Sequence, residues 1–132
     1  AATDHRYIPH AVFTEPQIAA VGATEEQLQG WGTPYVEFKQ RYADVAFGWA
    51  LEDEGHFVKL LADPRTWHLL GAHIIGPQAA TLIQPMIQAM SFGQTVQELA
   101  RGQYWIHPAL TEVLENALLG LLKAPRPKEL NA

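Results

Sequence analysis

The stretch HFVKLLADPRTWHLLGAHIIG, residues 56–76, constrains the fold more than any other part of the chain. Two runs rich in Val, Leu and Ile flank Asp63, Pro64 and Arg65, and turn formers between β-prone runs specify an antiparallel hairpin. Any fold must hold this pair of strands. TPYVEFKQRY, residues 33–42, predicts another strand through Tyr35, Val36 and Phe38, which suit a pleated surface. IPHAVFT and EPQIAAVG, residues 8–22, predict extended segments, whereas DVAFGWALEDEG, residues 44–55, is ambiguous. Helix signals lie between and after these runs. Thr24 with Gln27 three residues on makes a capping box, and Gly30 and Gly32 supply the stop; Thr95 with Glu98 makes a second box for a short helix to about Arg101.

From Gln78 the apolar residues Ala79, Leu82, Ile83, Met86, Ile87 and Met90 recur at three and four, the period of a buried helical face. Pro85 falls inside this run, where it costs about 3 kcal/mol in a helix interior, so two helices at an angle are expected. The other side offers Thr81, Gln84, Gln88 and Ser91. A face turned to water usually carries Lys and Glu, so these uncharged residues predict cover by another protein surface. The last helix buries Val113, Leu114, Ala117, Leu118, Leu121 and Leu122, and KAPRPKELNA closes it as a mobile tail. Hairpins with flanking helices, and no regular βαβ alternation, predict an α+β domain whose largely antiparallel sheet carries helices on one face. Residues 1–123 form that single domain and 124–132 the tail.

A chain of 132 residues can bury one core, and its formal charge of -5 leaves no basic face for nucleic acid and no polybasic run for a membrane. Residues 71–97 lack charge, but Gln78, Gln84, Pro85, Gln88 and Gln94 interrupt them, so no apolar span of about 20 residues exists. The absence of cysteine removes disulfides, thiolate zinc sites and thiol nucleophiles from these residues, and fits a cytoplasmic origin. AATDHRYIPH does not read as a signal peptide and looks like a cut made in a longer chain. His68 and His73 fall on opposite faces of one predicted strand, and His5, His10 and His56 have no ligand spacing, so no metal site is expected. Trp31, Trp49, Trp67 and Trp105 are expected in the core or an interface. No dinucleotide fingerprint, nucleophile elbow or phosphate loop is present, so by motif the chain is not a complete enzyme.

His107 precedes Pro108, and Glu112 follows five positions after the histidine. Within one regular helix, residues five apart stand roughly 140° apart and cannot meet. If His107 instead stands outside the helix and Thr111 caps it, the imidazole can fold back onto the carboxylate; a cis His107-Pro108 bond would also allow this. Such a pair fixes one ring nitrogen and leaves the other to move a proton. The plainer reading makes His107 and Pro108 chain punctuation and Glu112 a favourable charge at a helix N-terminus.

IPHAVFTEPQIAAVG, FVKLL, LLGAHIIGPQAATLIQPMIQAMSFG and WIHPALTEVLENALLGL together resemble the C-terminal dimerisation domain of the flavin-dependent pyridine nucleotide-disulfide oxidoreductases. Within that family DVAFGWALED, LIQPMIQAMSFG and ARGQYWIHPALTEVLENALLGL are most similar to the mycothione reductases. The resemblance implies that His107 is the acid/base of thiol-disulfide exchange in the partner subunit's active site, that Glu112 orients it, and that the backbone at His107 and Pro108 touches the partner's flavin. It further implies a homodimer, with FAD and NADPH bound by other domains of the parent chain and no cofactor held by this fragment, which should be inactive alone. Two alternatives stay open. One is a stand-alone dimerising interaction module without a catalytic duty; the other is the same domain from a dihydrolipoamide dehydrogenase or glutathione reductase-like enzyme.

Overall fold

A computed structural model describes residues 6–127. In chain order the elements are β1 (His10–Val12), β2 (Ile18–Gly22), α1 (Glu25–Trp31), β3 (Val36–Arg41), α2 (Ala46–Ala50), β4 (Phe57–Ala62), β5 (Leu69–Ile75), α3 (Ala79–Leu82), α4 (Gln84–Ser91), α5 (Val96–Arg101) and α6 (Glu112–Lys123). The strands form one sheet in the order β1-β2-β5-β4-β3, with every neighbouring pair antiparallel. The predicted hairpin supplies its centre. Alternation sends Val58, Leu60, Ala72 and Ile74 to one side, where they join Leu114, Leu118 and Leu121 of α6 and Met86 and Ala89 of α4 in a single core.

The hairpin turn runs longer than its Asp-Pro-Arg signal. The Asp63 carboxylate accepts the Arg65 N–H at 2.8 Å, and the Trp67 N–H returns to the Asp63 carbonyl at 2.8 Å. The register shifts between Leu61 and Ala62, so His68 stands just before β5 and bridges to Thr95 instead of extending the strand. Both capping boxes form as expected. Gly32 ends α1 in the left-handed conformation, while Gly30 lies inside that helix. The run from 79 to 91 breaks at Ile83, and Pro85 sits in the first turn of α4, where a missing N–H leaves no helical bond unmade. The ambiguous stretch, residues 44–55, begins at the end of a 3-10 turn, Tyr42–Asp44, and holds α2.

The four tryptophans divide between the core and the surface. Trp67 and Trp105 pack on the core, but Trp31 and Trp49 are 66% and 76% exposed, because each lies at the outer side of a one- or two-turn helix. Of the residues expected as a tail, Arg126 places its guanidinium 5.8 Å from the Trp67 ring, and Pro125 and Pro127 line a groove with Leu28 and Tyr35. Residues 128–132 lie outside those described.

Helix α1 is tied to the sheet through charge. Lys59 alternates away from the core residues Val58 and Leu60, and its ammonium donates to Glu25 of α1, which also accepts the Tyr35 hydroxyl at 3.1 Å. The Lys59 bond holds the Glu25 carboxyl below its ordinary value, against an opposing push from partial burial. A depressed carboxyl stabilises the fold above its unfolded pKa and loses that contribution as pH falls through the folded value. Glu25→Gln is therefore expected to cost about 0.5 kcal/mol at pH 7, a discounted figure for a partly exposed pair, and the deficit should shrink below about pH 4. Urea unfolding of both proteins at pH 7 and pH 3.5 measures it; a deficit that stays constant with pH would remove the ion pair as its cause.

Candidate functional site

The connection from α5 to α6 is held at its start by two side chains that turn back. Gln103 Nε2 donates to the Leu99 carbonyl at 3.0 Å, and Trp105 Nε1 donates to the Ala100 carbonyl at 3.2 Å. Ile106, His107 and Pro108 then project outward, and the His107-Pro108 peptide is cis. Leu110 dips into the core, anchoring the loop just before α6 begins. Thr111 occupies the N-cap position but makes no side-chain cap bond, contrary to the capping role expected of it. Its backbone is already helical, which turns the hydroxyl away from the orphan N–H groups. Glu112 does part of that work, accepting the Ala109 N–H at 3.3 Å.

The same Glu112 oxygen, Oε1, lies 2.5 Å from Nδ1 of His107. The histidine thus stands outside the helix and folds back onto the carboxylate, which a single regular helix could not have achieved. Glu112 keeps only 15% of its side chain exposed, while His107 keeps 68%. The contrast matters chemically. A shielded carboxylate anchors Nδ1, and the outward ring leaves Nε2 able to exchange a proton with whatever approaches.

A groove opens beside this pair, lined by His107, Pro108, Ala43, Val45, Phe47 and Trp49. Its far wall is α2 and the turn before it, from the stretch whose secondary structure the sequence left ambiguous. The signal for it was composition: Phe47 and Trp49 in a segment too short to bury both. Tyr104, Ile106 and Phe92 are also exposed apolar side chains. On another side of the loop, Thr81, Gln84 and Gln88 face an open groove that Gln94, Glu98, Gln103 and Thr111 complete, so this helix face is uncovered among the described residues.

Three of the remaining histidines are occupied separately. His68 Nε2 is 3.0 Å from the Gly93 carbonyl, His73 Nε2 is 2.9 Å from the Ala23 carbonyl, and His56 pairs with Asp53. His10 lies exposed on β1, and His5 is outside the described residues. Among the described residues no three of His, Cys, Asp or Glu gather as a metal site would require, and no helix is long and apolar enough to cross a membrane.

Residues 8–118 match the family profile of the pyridine nucleotide-disulphide oxidoreductase dimerisation domain. Mycothione reductase of Mycobacterium tuberculosis is 64% identical over 119 residues, which cover 90% of this chain and 26% of that enzyme. The mitochondrial dihydrolipoyl dehydrogenase of Caenorhabditis elegans is 37% identical over 116 residues, 88% of this chain and 23% of its own. Among solved structures, LpdA from Mycobacterium tuberculosis superposes with a TM-score of 0.84 at 26% identity, covering 92% of this chain and 26% of that one. The chain thus spans about a quarter of the length of the relatives it matches.

Proposed function

The chain belongs to the dimerisation-domain family of the pyridine nucleotide-disulphide oxidoreductases, and on that premise we propose that it lends His107 and Glu112 to the disulfide-reducing site of a partner subunit. The substrate we assign is mycothiol disulfide, on the strength of 64% identity to a mycothione reductase against 37% to a dihydrolipoyl dehydrogenase. The observation that carries the reading is the dyad itself, with an exposed ring anchored at 2.5 Å by a shielded carboxylate and no substrate-reducing group near it in this chain.

The chemistry follows from that arrangement. Cleaving a disulfide expels a thiolate, and a thiolate leaves faster when a proton reaches it. His107 donates that proton from Nε2, while Glu112 holds the Nδ1–H and stabilises the charged ring. The imidazolium also pairs with the thiolate left on the enzyme. Around the histidine, the exposed backbone of His107 and Pro108 accepts no hydrogen bond among the described residues, so its carbonyls are open to an N–H of a flavin ring. FAD, when bound by the parent's other domains, carries electrons from NADPH to the disulfide. The parent is a cytoplasmic homodimer, and the groove at Gln84 and Gln88 belongs to its interface. A closed two-fold dimer makes the loan reciprocal.

Hybrid dimers test the crossing. Full-length subunits carrying His107→Ala, mixed and refolded with subunits lacking the redox-active cysteines, should regain about a quarter of wild-type turnover, since one site in each hybrid is whole and half the dimers are hybrids. The cysteine-lacking parent alone, and this chain alone, should turn over nothing measurable, and the His107→Ala parent alone no more than about 1% of wild type. Hybrids as inactive as their parents would place the histidine in its own subunit's site.

A further inference from the structure

Between β3 and β4 the chain makes a closed loop whose hydrogen bonds converge on three side chains unused by the reading above. Tyr42 is fully buried, and its hydroxyl donates to the Pro77 carbonyl at 3.0 Å. Burial, with the Asp53 charge adding to it, pushes that hydroxyl far above the ordinary tyrosine range, so it stays a donor. The Tyr42 N–H donates to the His56 carbonyl at 3.0 Å, which fastens the two ends of the loop together. On the return path, the Asp53 N–H bonds the Gly48 carbonyl at 3.0 Å and ties α2 to the segment after it.

Asp53 then turns its carboxylate inward. Its side chain is 4% exposed, Oδ2 lies 2.6 Å from Nδ1 of His56, and Oδ1 is buried with no hydrogen-bond partner among the described residues. The His56 ring stands edge-on to Tyr42, centroids 6.0 Å apart. A buried carboxylate oxygen without a donor is unfavourable, and a loop that only had to reverse direction would gain nothing from it. The cost makes sense if the pair holds something in place.

That something is α2. Phe47 and Trp49 form the wall of the groove that contains His107 and Pro108, while on its other side Trp49 and Ala50 border a cleft with Asp53 and Arg41. Gly48 packs directly on the Tyr42 carbonyl, so closely that a Cβ there would fall 1.9 Å from the oxygen. The helix therefore has no room to settle inward, and the Asp53 N–H bond to the Gly48 carbonyl ties it to the segment that the Asp53–His56 pair fixes against Tyr42.

We propose that Asp53 and His56 are positioning residues that hold α2 at a fixed distance from His107 and so set the width of the groove in which the disulfide meets its proton donor. The catalytic half of this statement rests on the function proposed above. Neither residue touches the reacting atoms; both act through Phe47 and Trp49.

Trp49 is an exposed reporter on the element in question. The full-length enzyme labelled with 5-fluorotryptophan should show a shifted or broadened Trp49 fluorine resonance in Asp53→Ala and in His56→Ala, with Trp105 unmoved. The KM for the disulfide should rise about 10-fold while kcat stays within about 2-fold, the pattern of a lost binding geometry and not of lost chemistry. His56→Asn restores a donor where Nδ1 stood and should return both readouts toward wild type. Should Asp53→Ala fail to fold, the two His56 variants carry the comparison. An unmoved Trp49 signal with unchanged KM in the alanine variants, or no rescue by asparagine, overturns the proposal. Normal turnover in His107→Gln together with a displaced Trp49 would instead overturn the functional reading and leave the clamp on α2 standing.

Discussion

His107→Gln in the full-length flavoenzyme is expected to slow reoxidation by the disulfide substrate by about 10² to 10⁴-fold, the range a positioned acid/base contributes. The geometry makes the effect separable from damage to the fold. His107 is 68% exposed, and among the described residues its side chain bonds only Glu112, so its removal should shift stability by no more than about 0.5 kcal/mol. On the same reading, reduction of the flavin by NADPH does not use the His107 side chain and should keep its wild-type rate. Glu112→Gln preserves an oxygen for the Ala109 N–H and the histidine ring but removes the charge that favours the imidazolium. Its deficit should be smaller, about 10-fold, because orientation survives and only electrostatic support is lost. Stopped-flow measurement of the two half-reactions decides the matter. A reoxidation rate within about 2-fold of wild type in His107→Gln would return the dyad to the plainer reading, a capping interaction at a helix start.

What the sequence made legible, and what it hid, divides along a physical line. The hairpin pairing, both capping boxes and the helix break just ahead of Pro85 rest on interactions between residues a few positions apart, and each formed, although the hairpin turn is longer than read. The pairing of His107 with Glu112 was also within reach, because it needed only the chain to leave the helix before Pro108. The role of Thr111 was misjudged since a capping hydroxyl depends on the backbone torsion at that residue, which neighbouring letters do not determine. Least legible was α2. Its position is fixed by Tyr42, Asp53, His56 and the Pro77 carbonyl, contacts up to 35 residues apart that leave no periodic trace. The wall of the candidate site was therefore the part that local reading could not supply.

Gly71→Ala is expected to be the most destabilising conservative change in the sheet, at about 3 to 5 kcal/mol, in the range of severe overpacking. Gly71 lies in β5 opposite Gly22 on one side and Leu61 on the other. Just beyond Gly22 the chain leaves β2 for α1, and the Ala23 N–H bonds the Leu70 carbonyl at 2.8 Å. That bond draws the Ala23 carbonyl so near to Gly71 that a Cβ would stand 2.1 Å from its oxygen. Backbone cannot yield as a flexible side chain can, so the methyl group must either break the Ala23–Leu70 bond or force β2 and β5 apart. Since a domain is held by only about 5 to 15 kcal/mol, that cost removes a large share of the margin. Gly30 supplies the matched control. It sits inside α1 with nothing within 4 Å of a built Cβ, so Gly30→Ala should stabilise by about 0.5 to 1 kcal/mol through helix propensity alone. Urea unfolding of the two variants should move in opposite directions, and a Gly71→Ala loss below about 1 kcal/mol would mean the strand has slack that the sheet geometry denies. Because β5 carries none of the proposed site residues, this variant lowers the folded fraction without altering the chemistry of the molecules that remain folded. His107→Gln does the reverse, and the pair thereby separates what builds the domain from what it does.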